Sequence, residues 1–106
     1  MHNVSLDFFN VNKKMVKVFY EEVLYIESLK DYSRIHTAGH PLVTRGQIGE
    51  MEDIFRPHGF LRIHRSYVIN LDRIAAYTTT SVDIGGATLP IGRNYKELVG
   101  RVLEAL

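Results

Sequence analysis

Short segments in which apolar and polar residues alternate fill most of the chain and predict β-strands. They are rich in Val, Ile, Phe and Tyr, and polar or glycine-containing turns separate them. Pro90 cannot donate a ladder hydrogen bond, so its strand is expected at a sheet edge, as is the first strand. The predicted strands are Asp7–Val11, Met15–Tyr20, Leu24–Leu29, Tyr32–Thr37, Leu42–Val43, Phe60–His64, Ile74–Tyr77, Ser81–Ile84 and Ala87–Ile91.

Three turns are defined to different degrees by their residues. Gly85–Gly86 predicts a two-residue type I′ hairpin turn, because both central residues of that turn need positive φ. Gly39, within Ala38–Pro41, is expected to supply the positive φ of another turn. Lys30–Asp31 is not a favoured two-residue hairpin turn, so this connection is expected to include neighbouring residues.

Two segments have the spacing of amphipathic helices. One apolar stripe runs from Ile48 to Phe55, and Thr44–Gln47 before it has the spacing of a capping box. A second helix is predicted from Asn94 onward, with Asn94 and Glu97 forming its N-terminal cap. Its apolar positions are Tyr95, Leu98, Val99, Val102, Leu103 and Leu106.

The segment Phe60–Ile74, FLRIHRSYVINLDRI, contains a polar and cationic interruption. Phe60–Ile63 and Val68–Leu71 are mainly apolar, whereas His64, Arg65 and Ser66 between them are not. We therefore expect two buried anchors that hold one exposed loop, so that the loop meets a partner with little loss of backbone entropy.

Length and composition indicate one globular domain over residues 1–106. Hydrophobic residues make up 45% and charged residues 24% of the 106 positions, which is ordinary globular usage. There is no cysteine, and no apolar run approaches the ~18 residues of a membrane span, so a soluble cytoplasmic chain is expected. Residues 1–3 are interpreted as a candidate remnant of expression cloning.

The net charge of +1 does not by itself indicate a nucleic-acid partner, so the distribution of charge matters more. Three basic clusters lie far apart in sequence: Lys30/Arg34, Arg62/Arg65 and Arg93/Lys96. If the fold brings them together, the domain has a basic face.

Metal binding and catalysis are poorly supported by the residues. His36, His40, His58 and His64 form no HxxxH pair on a helix and have no cysteine partners. No nucleophile elbow or phosphate-binding loop is present. We therefore expect no metal, no cofactor and no enzymatic activity.

Three arginines lie at element boundaries, each beside a hydroxyl or amide residue. Arg34 follows Ser33, Arg65 precedes Ser66, and Arg93 precedes Asn94. A guanidinium group can donate two hydrogen bonds to guanine, while a neighbouring hydroxyl or amide holds phosphate. The pattern favours DNA binding over a merely solvated surface.

Three motifs together resemble one known family, the LytTR DNA-binding domain of bacterial response regulators. They are LYIESLKDYSRIHT (Leu24–Thr37), FLRIHRSYVINLDRI (Phe60–Ile74) and LPIGRNYKEL (Leu89–Leu98), in that order and spacing. The resemblance implies a mostly β fold, an elongated stack of small antiparallel sheets with about ten strands, a short mid-chain helix and a C-terminal helix. Such domains insert loops into successive major grooves of double-stranded DNA.

The resemblance also implies site residues and partners. Ser33, Arg65 and Arg93 fall on base-contacting positions, and Arg34, Ser66, Asn94 and Lys96 fall on phosphate-contacting positions. Further candidate DNA contacts are Lys30, Tyr32 and His64. The implied partners are promoter direct repeats, a second copy of the chain on DNA and an upstream receiver domain that this chain lacks.

The first two base-reading positions depart from the best-known member, which has His and Asn where this chain has Ser33 and Arg65. Its target sequence is therefore not carried over. An alternative from another class is a β-sheet protein-interaction module that pairs through an edge strand, without DNA binding.

Overall fold

The computed structural model describes residues 5–106, in which ten strands and two α-helices are found. The interpretation of residues 1–3 lies outside the described residues. The strands are β1 (Leu6–Val11), β2 (Lys14–Phe19), β3 (Val23–Leu29), β4 (Tyr32–Thr37), β5 (Leu42–Arg45), β6 (Phe60–His64), β7 (Tyr67–Asn70), β8 (Ile74–Tyr77), β9 (Ser81–Ile84) and β10 (Ala87–Pro90). The helices are α1 (Ile48–Phe55) and α2 (Lys96–Glu104).

The strands form three antiparallel sheets, as expected for a mostly β fold. The orders are β1-β2, β5-β4-β3-β7-β6 and β10-β9-β8. β10, which contains Pro90, lies at an edge, and β1 pairs with β2 alone in this part of the chain, so both edge predictions are confirmed. The principal extents are 39 × 37 × 24 Å, so the stack is flattened in one direction. No helix within residues 5–106 is long and apolar enough to cross a membrane.

The five-stranded sheet separates two hydrophobic cores. On one side, β1-β2 and α1 cover it, and Phe55 packs against Phe9, Tyr20 and Phe60 with ring centroids 5.6, 5.1 and 4.9 Å away. On the other side, the three-stranded sheet and α2 form a second core. Because alternate residues of a strand point to opposite faces, Val68 enters the first core and Ile69 the second. Burial on both faces makes this sheet a rigid support.

The turns agree with the sequence except at two places. Gly85–Gly86 has φ values of 58° and 80°, which fits the predicted type I′ turn. Gly39 lies outside the positive-φ region, so that expectation is wrong. The expectation for Lys30–Asp31 is also wrong: Leu29 pairs with Tyr32 and Lys30 has a φ of 67°. Tertiary hydrogen bonds to Asp31 hold this tight turn, from Gly46 to its carbonyl oxygen (2.8 Å) and from Gln47 to its carboxylate (3.3 Å).

Both helices are confirmed, but both predicted caps are wrong. Thr44 lies in β5, where its hydroxyl donates to the carbonyl oxygen of Asn10 (2.8 Å), and α1 begins without a side-chain cap. Asn94 belongs to a 3₁₀ turn over Arg93–Tyr95, and α2 follows at Lys96 with no side-chain cap. In each case the tertiary position of the segment, which the spacing does not encode, decides the helix start.

Candidate nucleic-acid interface

One end of the five-stranded sheet brings together two of the three segments that carry predicted site residues: the turn at Lys30–Asp31, called the first loop, and the turn at Arg65–Ser66, called the second loop. β3 runs antiparallel to both β4 and β7, so turns Lys30–Asp31 and Arg65–Ser66 lie at the same end. The backbone N–H of Ser28 donates to the carbonyl oxygen of Ser66 at 2.9 Å and joins them. β5 ends there as well, since Arg45 pairs with Tyr32.

The third predicted segment joins this end beside β6. The N–H of Gly92 donates to the carbonyl oxygen of Ile63 at 2.8 Å. A cleft of about 180 Å³ separates the second loop from this third segment. The residues that line it are His64, Arg65, Gly92, Arg93, Asn94 and Tyr95. A Cβ atom on Gly92 would lie 3.0 Å from the Tyr95 ring and 3.4 Å from the His64 ring, so glycine permits this close approach. Arg65 and Arg93 therefore border one cleft.

The cations of the described residues fall into an ion-paired and an unpaired group. The ion-paired group is Arg34 with Glu27, Arg56 and Arg62 with Glu52, and Arg101 with Glu97. Five exposed cations at this end of the sheet have no salt bridge within residues 5–106, and we call them the basic end: Arg45, Lys30, Arg65, Arg93 and Lys96. Five strands at roughly 4.8 Å spacing span about 19 Å, and Arg45, Lys30 and Arg65 are spread across this width. Arg93 and Lys96 follow beside β6, next to the bond from Gly92 to Ile63.

The second loop is held in shape by Arg62, a side chain that the sequence places only in a basic cluster. The guanidinium group of Arg62 donates to the carbonyl oxygens of His64 (3.2 Å) and Arg65 (2.7 Å), and a third bond reaches Glu52 (3.1 Å). The hydrophobic periodicity of the sequence does not distinguish an arginine that bonds to loop carbonyl oxygens from an arginine that is merely exposed. The only available signal was its position, three residues before the tip of a short turn.

His64 is a second internal support of this loop. Its Nδ1 accepts the N–H of Ser66 at 3.0 Å, which requires a ring unprotonated at that nitrogen. Burial, followed by the positive charges of Arg65 and Arg62, lowers the pKa of His64 below its ordinary value of 6.5. The neutral ring is thus the form that matches the observed loop, and the Arg65 side chain itself remains exposed.

The first loop differs from its prediction at Ser33. Ser33 is fully buried, and its hydroxyl donates to the carbonyl oxygen of Gly46 at 2.7 Å. A base contact by Ser33 has no support in this conformation, because β4 turns that side chain towards the core. Its neighbours on the strand face outward: Tyr32 is 45% exposed, and Arg34 pairs with Glu27 at 3.1 Å.

The remaining predicted residues lie close to these loops. Ser66 is half-buried at the second turn, while Asn94 and Lys96 are exposed beside Arg93 at the start of α2. Two other histidines contact neighbouring side chains. His36 Nε2 lies 3.0 Å from the Glu27 carboxylate, and the rings of His58 and Tyr20 stack with their centroids 3.7 Å apart. Within the described chain, no group of three or more His, Cys, Asp or Glu is arranged to hold a metal ion.

Comparisons with known proteins agree with this architecture. Residues 13–104 match the family described as the LytTr DNA-binding domain. The CO-responsive transcriptional regulator RcoM of Rhodospirillum rubrum is 38% identical over 79 residues, which are 67% of this chain and 33% of the relative. The transcriptional regulatory protein LytR of Staphylococcus aureus is 26% identical over 91 residues, 80% of this chain and 37% of the relative.

The chain thus spans about a third of the length of these curated relatives. A solved structure, the LytTr DNA-binding domain of a putative methyl-accepting/DNA response regulator from Bacillus cereus, matches with a TM-score of 0.78. The match covers 93% of this chain and 96% of that chain at 19% sequence identity, and it shows that the two share a fold.

Proposed function

We propose that this chain, which belongs to the LytTr DNA-binding domain family, binds double-stranded DNA sequence-specifically through the basic end. The observation that carries the proposal is the convergence of unpaired cations from separate chain segments on one end of a rigid sheet. A row of unpaired charges attracts phosphates, whereas ion-paired arginines elsewhere contribute little. Binding here needs no recognition helix.

Within this proposal, Arg65 and Arg93 read bases from the two sides of their shared cleft. Each guanidinium group can donate to guanine O6 and N7, and each such contact is worth about 1–3 kcal/mol of discrimination. Ser66, Asn94 and Lys96 hold phosphates, and His64 is a further contact. Arg34 holds phosphate once its guanidinium group exchanges Glu27 for the DNA backbone. In the first loop we assign DNA contact to Lys30 and Tyr32, because a base contact by Ser33 requires the turn to open.

The wider biological role follows from the same proposal. We place the domain at promoters as the output module of a cytoplasmic response regulator, next to a receiver domain, with loops entering successive major grooves. Because the net charge is only +1, nonspecific affinity is weak, and two copies on adjacent direct repeats reinforce one another through effective concentration. This role is one of binding, without catalysis or a cofactor.

Selection of duplexes from a random DNA pool, followed by a binding titration, tests the proposal. Arg93→Ala is expected to weaken binding to the selected duplex by about 1–3 kcal/mol and to relax the preference at one base pair. Lys96→Ala should weaken all sequences alike and reduce the salt slope by about one unit. Arg101→Ala removes an ion-paired arginine from the same helix and serves as the control.

Two outcomes would overturn this function. One is selection of no sequence from the pool, or binding by Arg93→Ala that equals the Arg101→Ala control. The other is an association that does not respond to salt and occurs with a protein instead of DNA, which is the behaviour expected of an edge-strand interaction module.

A further inference from the structure

A groove lies beside the basic end, on the side of β5 away from Arg93. Its volume is about 570 Å³, and it runs between the β1–β2 turn and the outer strands β5 and β4. The residues that line it are Asn10, Asn12, Lys13, Tyr32, Val43 and Arg45. None of these lining residues is acidic, and two are cations, so the groove is complementary to an anion.

The position of the groove is fixed by contacts to both of its walls. The Thr44 hydroxyl donates to the carbonyl oxygen of Asn10 at 2.8 Å, which holds the β1–β2 hairpin against β5. Arg45 pairs with Tyr32 across the sheet and belongs to both the groove and the basic end. A surface that binds DNA at the basic end therefore continues into the groove.

The β1–β2 turn carries a lysine where the backbone favours glycine. Asn12 and Lys13 have φ values of 52° and 67°, the left-handed pair of a type I′ turn. Asparagine tolerates this region and glycine adopts it freely, but lysine is strained there. Within residues 5–106, the other lysine at positive φ is Lys30, at the neighbouring turn. Strained residues point to a use for the side chain they present.

The cations of the groove are available to a partner. Neither Lys13 nor Arg45 has a salt bridge in the part of the chain that the structure describes. Arg45 also borders a separate cavity with Asp31 and Glu50, without pairing with either. Tyr32 and Val43 are 45% and 41% exposed, which gives the groove an apolar surface between its charges.

We propose that this groove binds the sugar–phosphate backbone of the duplex that flanks the segment contacted by Arg65 and Arg93. Lys13 and Arg45 contact phosphates, and Tyr32 and Val43 pack against deoxyribose. The inference rests on the proposed function and adds Lys13, which the sequence motifs did not include.

The test uses Lys13→Gly on the duplex selected by the wild-type protein, with binding measured against salt. This substitution removes the cation and creates an Asn-Gly pair, the most favoured type I′ turn, so the hairpin is expected to fold. Lys17→Ala is the matched control, because Lys17 is an exposed lysine of the same hairpin outside the groove. Arg45→Gln is a second variant that leaves the turn unchanged.

On a duplex with long flanks, Lys13→Gly should bind about threefold more weakly and lose about 0.9 unit of salt slope, while Lys17→Ala matches wild type. When the duplex is shortened stepwise from the flank next to the groove, the difference between Lys13→Gly and wild type should disappear. Arg45→Gln should also bind the long duplex more weakly.

Three results would overturn the proposal: Lys13→Gly equal to Lys17→Ala, a deficit that survives removal of the flank next to the groove, or Arg45→Gln equal to wild type. Arg93→Ala is measured in parallel to separate the two proposals. If it loses affinity while Lys13→Gly does not, the groove contact fails and the basic end stands. If wild type selects no duplex, both fail.

Discussion

The guanidinium group of Arg62 donates a hydrogen bond of 2.7 Å to the carbonyl oxygen of Arg65. Arg62, which also bonds to Glu52, thereby fixes the backbone of Arg65, and the Arg65 side chain remains exposed for a partner. Arg62 and Arg65 lie three residues apart in one motif but have different roles, and the pattern of charges alone does not distinguish those roles.

Replacing Arg62 with Met should weaken DNA binding through the loop alone. The variant keeps an apolar stem but loses the donors to His64 and Arg65, so the loop becomes mobile and affinity for the selected duplex should fall by about 1 kcal/mol. Arg56→Met is the matched control, since Arg56 also pairs with Glu52 but contacts no loop carbonyl. Equal affinities of the two variants in a titration would rule out the positioning role.

Arg65→Lys distinguishes base reading from a phosphate contact. Lysine keeps the charge but lacks the planar fork, so we expect a loss of about 1–3 kcal/mol on the selected duplex and a relaxed preference at one base pair. The salt slope should stay the same. Arg45→Lys, at a proposed phosphate contact, should bind like wild type. An Arg65→Lys protein with unchanged sequence preference would reassign Arg65 to phosphate.

Ser33→Ala should affect stability and not recognition. The buried carbonyl of Gly46 loses its donor, which should lower the free energy of unfolding by about 1–3 kcal/mol. Below the melting transition, DNA affinity should equal that of Ser28→Ala, whose residue pairs with Ser33 and contacts Ser66 through its backbone N–H. Chemical denaturation and a DNA titration measure the two effects. A loss of affinity without a loss of stability would instead support base contact by Ser33.

The pH dependence of stability should include a contribution from His64. Because burial and the charges of Arg65 and Arg62 lower its pKa in the folded state, the neutral ring stabilises the fold. This contribution is complete above the ordinary pKa of 6.5 and is lost as the pH falls through the lowered, folded-state pKa.

Denaturation of His64→Asn at several pH values checks this contribution. Asparagine retains an acceptor for the Ser66 N–H but does not titrate, so its stability should fall less than that of wild type between about pH 7 and 5. His40→Asn, at an exposed position, is the control. If the free energy of unfolding depends on pH in the same way for wild type, His64→Asn and His40→Asn, then His64 does not contribute to the pH dependence of stability.

Much of the fold could be predicted from the sequence, because strand alternation, helical spacing and turn residues act over a few neighbouring positions. Alternation marked the strands, helical spacing marked α1 and α2, and Gly85–Gly86 marked its turn. The interrupted segment after Phe60 was predicted as two buried anchors around an exposed loop over His64–Ser66, and the structure has strands on both sides of it. The exposed part is narrower than predicted: Arg65 is exposed, whereas His64 ends β6 and, like Ser66, is half-buried. The second anchor forms β7, which was absent from the predicted strands.

The errors occur where a distant contact outweighs a local preference. Lys30–Asp31 forms a tight turn because Gly46 and Gln47, from beyond β5, bond to Asp31. Thr44 donates to Asn10 across two sheets instead of capping α1. Base contact by Ser33 stays a prediction, but its hydroxyl donates to the carbonyl oxygen of Gly46 in this conformation, which the motif position did not indicate.

By itself, the sequence determined which segments form strands and helices and which carry cations, because hydrophobic periodicity and turn chemistry act over a few residues. Only the tertiary structure decided which cations within residues 5–106 remain without an ion pair. The antiparallel order of the central sheet places Lys30, Arg45 and Arg65 at one end, while Glu27 and Glu52 neutralise Arg34 and Arg62. Whether a charge is paired depends on neighbours far away in sequence, and that is a property of the folded arrangement.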